Sequence, residues 1–210
     1  MVACGRAPEP LLVLGAMLPD FASMTGNRIA GVRDDRPRTG RALHHTTDEV
    51  FHRIPGFVSL CGESMSCLIG SGLSRGSARA VSHIGVEMVL DGLLAAKAIP
   101  RQLYDEALQA ATSELVIESI EWGSVLPAEF WRQHIAALRG SGIPDAYANA
   151  DFVTQRLYRL LAGRKRLALE RQQLGEVKTW LRSVRPRVAE RAEAIMAVIR
   201  DGLEADQGRG

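Results

Sequence analysis

Apolar residues recur along most of this chain at the three- and four-residue spacing of helices, and polar segments rich in Gly and Pro separate these stretches. No stretch shows sustained alternation of β-branched or aromatic residues with polar ones, so strands have little support. We therefore predict an all-α protein. The predicted helices span residues 11–24, 40–53, 55–69, 74 or 77 to 98, 101–121, 127–138, 145–173 and 175–204.

Several boundary signals accompany this pattern. Residues 26–40, "GNRIAGVRDDRPRTG", are polar and contain Gly, Pro and Asp, which predicts a loop. Ser74 or Ser77 is a candidate N-cap for the long fourth helix. Pro186 interrupts the last helical pattern, which predicts a bend or a restart there. The 210 residues suit a single helical domain over 1–210, with later helices in 101–205.

The formal net charge of +2 conceals an uneven distribution. Residues 83–130 carry eight acidic and two basic side chains, whereas residues 156–200 carry twelve basic and four acidic ones. The net charge indicates neither nucleic acid nor a membrane as a partner. The basic carboxy-terminal third is a candidate surface for an anionic partner, although arginines scattered over solvated helix faces would give the same count.

Cysteine usage and hydropathy exclude several classes of protein. Cys4, Cys61 and Cys67 form neither a CxxC pair nor a zinc-type spacing, which argues against a disulfide framework or a Cys-rich zinc site. The apolar run from Leu11 to Leu18 is far too short to span a membrane. We expect a cytoplasmic protein with no membrane partner.

Two of the predicted amino-terminal helices carry candidate metal ligands. "GAMLPDF" contains Asp20 after a proline, and "HHTTDEVFH" places His44 four residues before Asp48. A four-residue step brings side chains to neighbouring positions on one helix face. His45 and His52 are read as surface or supporting groups, but either could replace His44 as ligand if the helix is rotated by one residue.

The predicted fourth helix contains the longest stripe of ionisable groups. In "SHIGVEMVLDGLL", four-residue steps separate His83, Glu87 and Asp91, and the intervening residues are almost all apolar. A buried stripe of this kind needs charged or hydrogen-bonding partners. Combined with Asp20, His44 and Asp48, it would provide two imidazoles and four carboxylates. Such a donor set suits Mn²⁺, Fe²⁺, Mg²⁺ or Zn²⁺.

The segment before this stripe, "SGLSRGSARA", could bind an anion. Gly and Ser at a helix start offer free N–H groups, and Arg75 and Arg79 lie beside them. These arginines are candidate phosphate-binding residues, and a plain N-cap with surface arginines is the alternative. No G-x-S-x-G elbow is present, and no strand precedes the segment as a phosphate loop would require.

In their order, these segments resemble the acyl carrier protein phosphodiesterase family, a helical, metal-dependent group related to the HD phosphohydrolases. "GAMLPDF" follows the family's G-x-x-x-x-D-F element. Gly40, His44, Asp48 and Pro55 follow its glycine, H-x-x-x-D and proline. The family's D-x-x-x-D-H-F-L helix aligns with "EMVLDGLL", residues 87–94. The resemblance covers about the first hundred residues and implies an HD-domain-like helical bundle with its metal-site core at about 10–98.

The chain departs from the family pattern at several positions. His52 stands where the family has an aspartate, Glu87 replaces the first aspartate of the third element, and Gly92 replaces its histidine. His83 has no counterpart. The family's opening helix with Leu-Ala-His is replaced by "MVACGRAPEP", so either a helix precedes this sequence or the chain belongs to a divergent branch.

The resemblance implies a metal-dependent phosphodiesterase that releases 4′-phosphopantetheine from acyl carrier protein or cleaves another anionic phosphoester. It implies Mn²⁺ as the expected ion, with Fe²⁺, Mg²⁺ or Zn²⁺ as alternatives. Its primary ligands would be Asp20, His44, Asp48 and Asp91. Glu87 and His83 would be the catalytic residues, as general base and orienting group, or would complete the ligand set.

Two other functions stay open at this stage. His and carboxylate ligands also suit a non-haem iron oxygenase. A third reading is a non-catalytic helical interaction protein in which the polar stripe is a buried hydrogen-bond network.

Overall fold

The computed structural model describes residues 9–98 and 101–207, and this part of the chain is predominantly helical, which confirms the all-α prediction. Its α-helices and strands are, in chain order, α1 Pro10–Met24, β1 Ile29–Val32, α2 Asp35–Phe51, α3 Pro55–Gly70, α4 Arg75–Ala98, α5 Arg101–Ala110, α6 Glu114–Ser119, β2 Ile120–Trp122, α7 Ala128–Gly140, α8 Ala150–Leu161 and α9 Leu174–Gln207. Short 3₁₀ turns lie at Asp145–Ala148 and Arg171–Gln173. No helix in the described part is long and apolar enough to cross a membrane.

The described residues group into two compact units. The first contains those through Val50, Ala98–Gly142 and those from Arg200 onward; the second contains Phe51–Lys97 and Ile143–Ile199. The predicted single domain stays a prediction, as does its HD-like arrangement.

In the first unit, α1 and α2 approach each other closely through two glycines. A Cβ atom on Gly40 would lie 2.8 Å from the backbone nitrogen of Ala16 and closer still to the carbonyl oxygen of Leu12. A Cβ on Gly15 would likewise collide with the carbonyl of Pro37. The missing side chains therefore let the two backbones touch. A core of buried residues lies around this unit's helices; its fully buried members include Leu14, Leu18, Leu108, Trp131 and Ile135.

A small antiparallel sheet in this unit corrects two sequence predictions. β1 lies within the predicted loop 26–40, and β2 lies at the end of the predicted helix 101–121, which the structure divides into α5, α6 and β2. The pairing joins Ile29 to Trp122 and Val32 to Ile120, with a register shift between them. Strands of four and three residues are too short to produce a recognisable alternation.

The second unit contains α3, α8 and most of α4 and α9. Gly85 on α4 packs against the indole of Trp180, whose ring carbon would lie 2.6 Å from a Cβ at that position. Ser74 caps α4, because its hydroxyl accepts a hydrogen bond of 3.1 Å from the backbone N–H of Ser77. This confirms one of the two predicted N-caps.

Two further helix predictions were wrong in detail. The predicted helix 145–173 is a 3₁₀ turn followed by α8, which ends at Leu161. The last helix does not restart at Pro186 but continues through it as α9, and the alternative of a bend there stays a prediction. Pro186 is exposed, so water can satisfy the carbonyl that loses its helical partner.

Because the α1–α2 contact has no room for a methyl group, Gly40→Ala is expected to lower the free energy of unfolding by about 1–3 kcal/mol. Urea denaturation followed by circular dichroism measures this change. Gly62→Ala on α3 is the control, since a Cβ there would meet no atom within 4 Å. It should leave stability unchanged or raise it by up to about 1 kcal/mol. Equal effects of the two substitutions would contradict the close contact.

Candidate metal centre

Two imidazoles of the second unit converge on one carboxylate oxygen. Glu87 Oε1 lies 3.0 Å from His52 Nε2 and 3.2 Å from His83 Nε2. His83 and Glu87 are one turn apart on α4, and His52 directly follows the last residue of α2. Among the described residues, this is the group of three or more His, Cys, Asp or Glu side chains close enough to share an ion. We call it the His52–His83–Glu87 trio.

The local sequence explains how His52 reaches α4. After α2 ends, the chain turns tightly, with the N–H of Ile54 donating to the carbonyl of Phe51 at 3.1 Å. Pro55 then starts α3, a position that proline favours because its missing N–H is not needed there. Ile54 is buried and anchors the turn. The imidazole of His52 is thereby held beside α4.

Aromatic rings enclose the two imidazoles. His52 and His83 stack with centroids 5.0 Å apart and planes within 10°. Phe57 on α3 meets both edge-on, at 5.8 Å from His52 and 5.4 Å from His83, and Phe51 packs on Phe57 at 4.2 Å. Phe57 is 2% exposed, so it forms a fixed wall. Apolar walls reduce the local dielectric and strengthen the electrostatic interactions of the trio.

The charges of the trio are coupled. Burial by itself raises the pKa of Glu87, but hydrogen bonds and positive charge from His83 and then His52 outweigh it, so that the pKa lies below its ordinary value. Hydrogen bonds to the Cys61 thiol and to Glu87 raise the pKa of His83 from 6.5 to about 10, against the opposing effect of burial. At neutral pH His83 and Glu87 of the metal-free trio therefore form an imidazolium–carboxylate pair.

The donor chemistry of the trio fits a divalent transition metal. Two imidazole nitrogens and a carboxylate oxygen are ligands shared by Zn²⁺, Mn²⁺ and Fe²⁺ sites. Ligands about 2.1 Å from a tetrahedral ion lie about 3.4 Å apart, which is slightly more than the two nitrogen–oxygen distances seen here, and all ligand atoms of the trio lie within 4.8 Å of one another. The two nearly parallel rings must tilt to direct both lone pairs at one ion. Their side chains are 33% and 43% exposed, which leaves room for that rotation.

The residues predicted from the sequence are placed as follows. The two predicted catalytic residues, His83 and Glu87, come together, and His52, considered as a replacement ligand, joins them. The four predicted primary ligands lie outside the trio: Asp20, His44 and Asp48 in the first unit and Asp91 in the second. Both predicted phosphate-binding arginines, Arg75 and Arg79, are exposed on α4.

The surroundings of the predicted ligands differ. Asp20, Asp48 and Asp91 are exposed. His44 is half-buried, and its Nδ1 lies 2.9 Å from the carbonyl oxygen of Ala16. Because the carbonyl can only accept, Nδ1 carries the proton in that bond, and in the neutral ring Nε2 would be an acceptor. That these four residues bind a metal stays a prediction.

Sequence reasoning missed Cys61 as a member of this environment. Its thiol hydrogen-bonds His83, yet Cys61 belongs to no recognisable cysteine motif. The sequence shows a four-residue step from Asp48 to His52. That step predicts that the two side chains are neighbours on α2, and it gives no indication that His52 contacts α4. The turn at residues 51–55, which the sequence marks only by Pro55, is what redirects His52.

The trio consists of positions at which the chain departs from the pattern it resembles. His52 and Glu87 replace aspartates of that pattern, and His83 has no counterpart in it. A further departure, Gly92, has a packing reason. A Cβ there would lie 2.9 Å from both the Cβ and the carbonyl carbon of Tyr147, so a histidine would not fit.

Comparisons of the chain with protein-family models, with curated proteins and with solved structures find no match. The fold and the site therefore rest on the residues of this chain.

The raised pKa of His83 predicts a pH-dependent stability of the metal-free protein. Because the folded protein binds this proton more tightly than the unfolded chain, the contribution is complete below pH 6.5 and is lost as the pH rises toward about 10. Urea unfolding in EDTA at several pH values should show this decline, and His83→Gln should flatten it. His45→Gln, which alters an exposed histidine outside the trio, should leave the decline intact. A parallel decline in wild type and His83→Gln would refute the assignment.

Proposed function

We propose that this protein binds one divalent transition-metal ion through His52, His83 and Glu87 and uses it to hydrolyse a phosphoester bond. The convergence of two imidazole nitrogens on one carboxylate oxygen carries the proposal. Among the described residues, the trio is the group that meets the distance requirement for a shared ion.

Each residue of the trio has a role in this proposal. His52 and His83 would hold the ion through Nε2, and Glu87 would add a carboxylate oxygen and part of the compensating charge. A hydrogen bond donated by the His83 ring to the Cys61 sulfur would fix the orientation of that ring. A bound divalent cation lowers the pKa of a coordinated water and neutralises charge on phosphoryl oxygens.

Cationic side chains on the same helix support an anionic substrate. Arg79 precedes His83 by one turn and Arg75 precedes it by two, so all three share a stripe of α4. At a rise of about 1.5 Å per residue, Arg79 lies about 6 Å along the helix axis from His83. Arg53, next to His52, is exposed as well. These guanidinium groups could bind phosphate oxygens in bidentate fashion.

Metal binding would compete with the proton on His83. An imidazole binds a metal only when it is neutral, so the ion must displace the proton that Cys61 and Glu87 stabilise. Metal affinity is therefore expected to increase as the pH rises.

The finer assignment given by resemblance is an alternative to the trio as the ligand set. In it, the substrate is acyl carrier protein, the reaction releases 4′-phosphopantetheine, the ion is Mn²⁺, and Asp20, His44, Asp48 and Asp91 are the primary ligands. The family likeness of the three amino-terminal segments supports it.

A non-haem iron oxygenase is a second candidate. One observation favours it, namely that two histidines and one carboxylate form the donor set of the facial triad that binds Fe²⁺ with open positions for oxygen.

Metal analysis tests the binding step. After EDTA treatment and incubation with Zn²⁺, Mn²⁺ or Fe²⁺, the protein is expected to retain about one ion per chain. His52→Ala, His83→Ala and Glu87→Gln should each weaken binding by more than the roughly 10- to 100-fold that follows loss of a group supporting a ligand. His45→Ala and Asp91→Asn are the matched controls and should bind as wild type. If Asp48→Asn or Asp91→Asn abolishes binding while Glu87→Gln does not, the ligands inferred from resemblance hold the ion instead.

Turnover of a nitrophenyl phosphodiester tests the reaction. Metal-loaded wild type is expected to release nitrophenolate, and Glu87→Gln should lose the activity together with the ion. Oxygen uptake by the Fe²⁺-loaded protein without hydrolysis would favour the oxygenase. A metal-loaded protein inactive in both assays would leave a structural metal site and disprove the hydrolase.

A further inference from the structure

Two cationic segments of the second unit meet at the amino-terminal end of α4. Gly76 lies against the carbonyl of Arg166, whose oxygen would be 2.6 Å from a Cβ at position 76. The hydroxyl of Ser77 donates to the carbonyl of Ala168 at 3.3 Å, and the amide of Gln173 donates to the carbonyl of Gly72 at 3.2 Å. The loop between α8 and α9 is thereby fixed to the start of α4.

This contact assembles five exposed cations, which we call the basic patch: Arg75, Arg79, Arg164, Lys165 and Arg166. None of them forms an ion pair with a described acidic side chain. The first turn of α4 contains no acidic residue, and the amino-terminal end of its helix dipole adds positive potential. The positive charge of the patch is therefore not compensated by ion pairs with the described acidic residues.

Four of the nine other basic residues between 156 and 200 are paired with carboxylates. Lys178 and Arg182 pair with Asp151 at 2.7 and 3.7 Å. Arg187 and Arg191 on α9 both pair with Glu63 on α3. The patch thus contains three consecutive cations of the basic excess seen in the sequence.

The chemistry around the patch identifies the kind of partner. The two segments that form it, residues 71–79 and 163–166, contain only Gly, Ser, Arg and Lys apart from Leu73 and Ala78, which are 4% and 0% exposed. Protein–protein interfaces have an apolar centre, which these segments do not provide. Nucleic-acid interfaces are strongly positive and contact phosphates through Arg, Lys and helix amino-termini. The segments also contain no aromatic ring on which unpaired bases could stack.

We propose that the basic patch binds the phosphate backbone of double-stranded nucleic acid without reading its bases. This interaction goes beyond the proposed hydrolase, with which the patch shares Arg75 and Arg79, and it requires no metal because no residue of the trio belongs to the patch.

Fluorescence anisotropy with a labelled DNA duplex of arbitrary sequence, in EDTA and at low salt, tests the proposal. Wild type is expected to bind with an affinity that falls steeply as salt increases. The triple variant Arg164→Ala/Lys165→Ala/Arg166→Ala should bind about tenfold more weakly or worse, and the slope of log K against log salt should become shallower by about 2–3, since each lost phosphate contact removes about 0.9. Arg164→Lys/Arg166→Lys should retain binding.

The matched control removes three exposed cations elsewhere, in Arg28→Ala/Arg139→Ala/Arg200→Ala, and so makes the same change in net charge. It should bind the duplex nearly as wild type. Equal weakening in both triple variants would show that net charge alone attracts the duplex and would overturn the proposal. Displacement by polyglutamate in preference to duplex would also overturn it, in favour of an acidic protein partner. Unchanged metal retention in the patch variant keeps this test separate from that of the metal centre.

Discussion

The carboxylate of Glu87 imposes the main electrostatic constraint on the second unit. It projects from a helix whose neighbouring positions Val86, Met88 and Val89 are buried, and its side chain is only 29% exposed. An enclosed carboxylate must be compensated by charge or hydrogen bonds. His52 and His83 supply both, and a metal ion would supply the charge in their place. The same interaction that stabilises the metal-free protein therefore prepares the ligand set, at the cost of a proton that the ion must displace.

Helix α4 contributes residues to both the trio and the basic patch, and its glycines allow other segments to pack closely against it. Gly76 admits the loop that completes the basic patch, Gly85 admits the indole of Trp180, and Gly92 admits the turn at Tyr147. Between these contacts, one stripe of the helix presents arginines and then His83 and Glu87. The helix is thus packed closely on some faces and chemically active on another, an arrangement that substitution of any of these glycines would disturb.

Helical periodicity predicted most of the fold, because long amphipathic segments carry a strong repeating signal. The sheet was not predicted, because Ile29–Val32 and Ile120–Trp122 are stabilised by pairing with each other and show no alternating pattern of their own. The pair of His83 and Glu87 was readable because both lie on one helix. The positions of His52, Cys61 and the loop at Arg166 could not be predicted from the sequence, because tertiary contacts between distant segments determine them.

Imidazole nitrogen resonances provide the most direct measurement of the central claim. In a long-range ¹H–¹⁵N spectrum, addition of about one equivalent of Zn²⁺ should move the Nε2 signals of His52 and His83 together to metal-bound values, while His45 stays unchanged. Loss of the imidazolium signature of His83 should accompany that change. Signals of His52 and His83 that remain at their metal-free positions with excess Zn²⁺ would contradict the claim that these side chains form a metal centre.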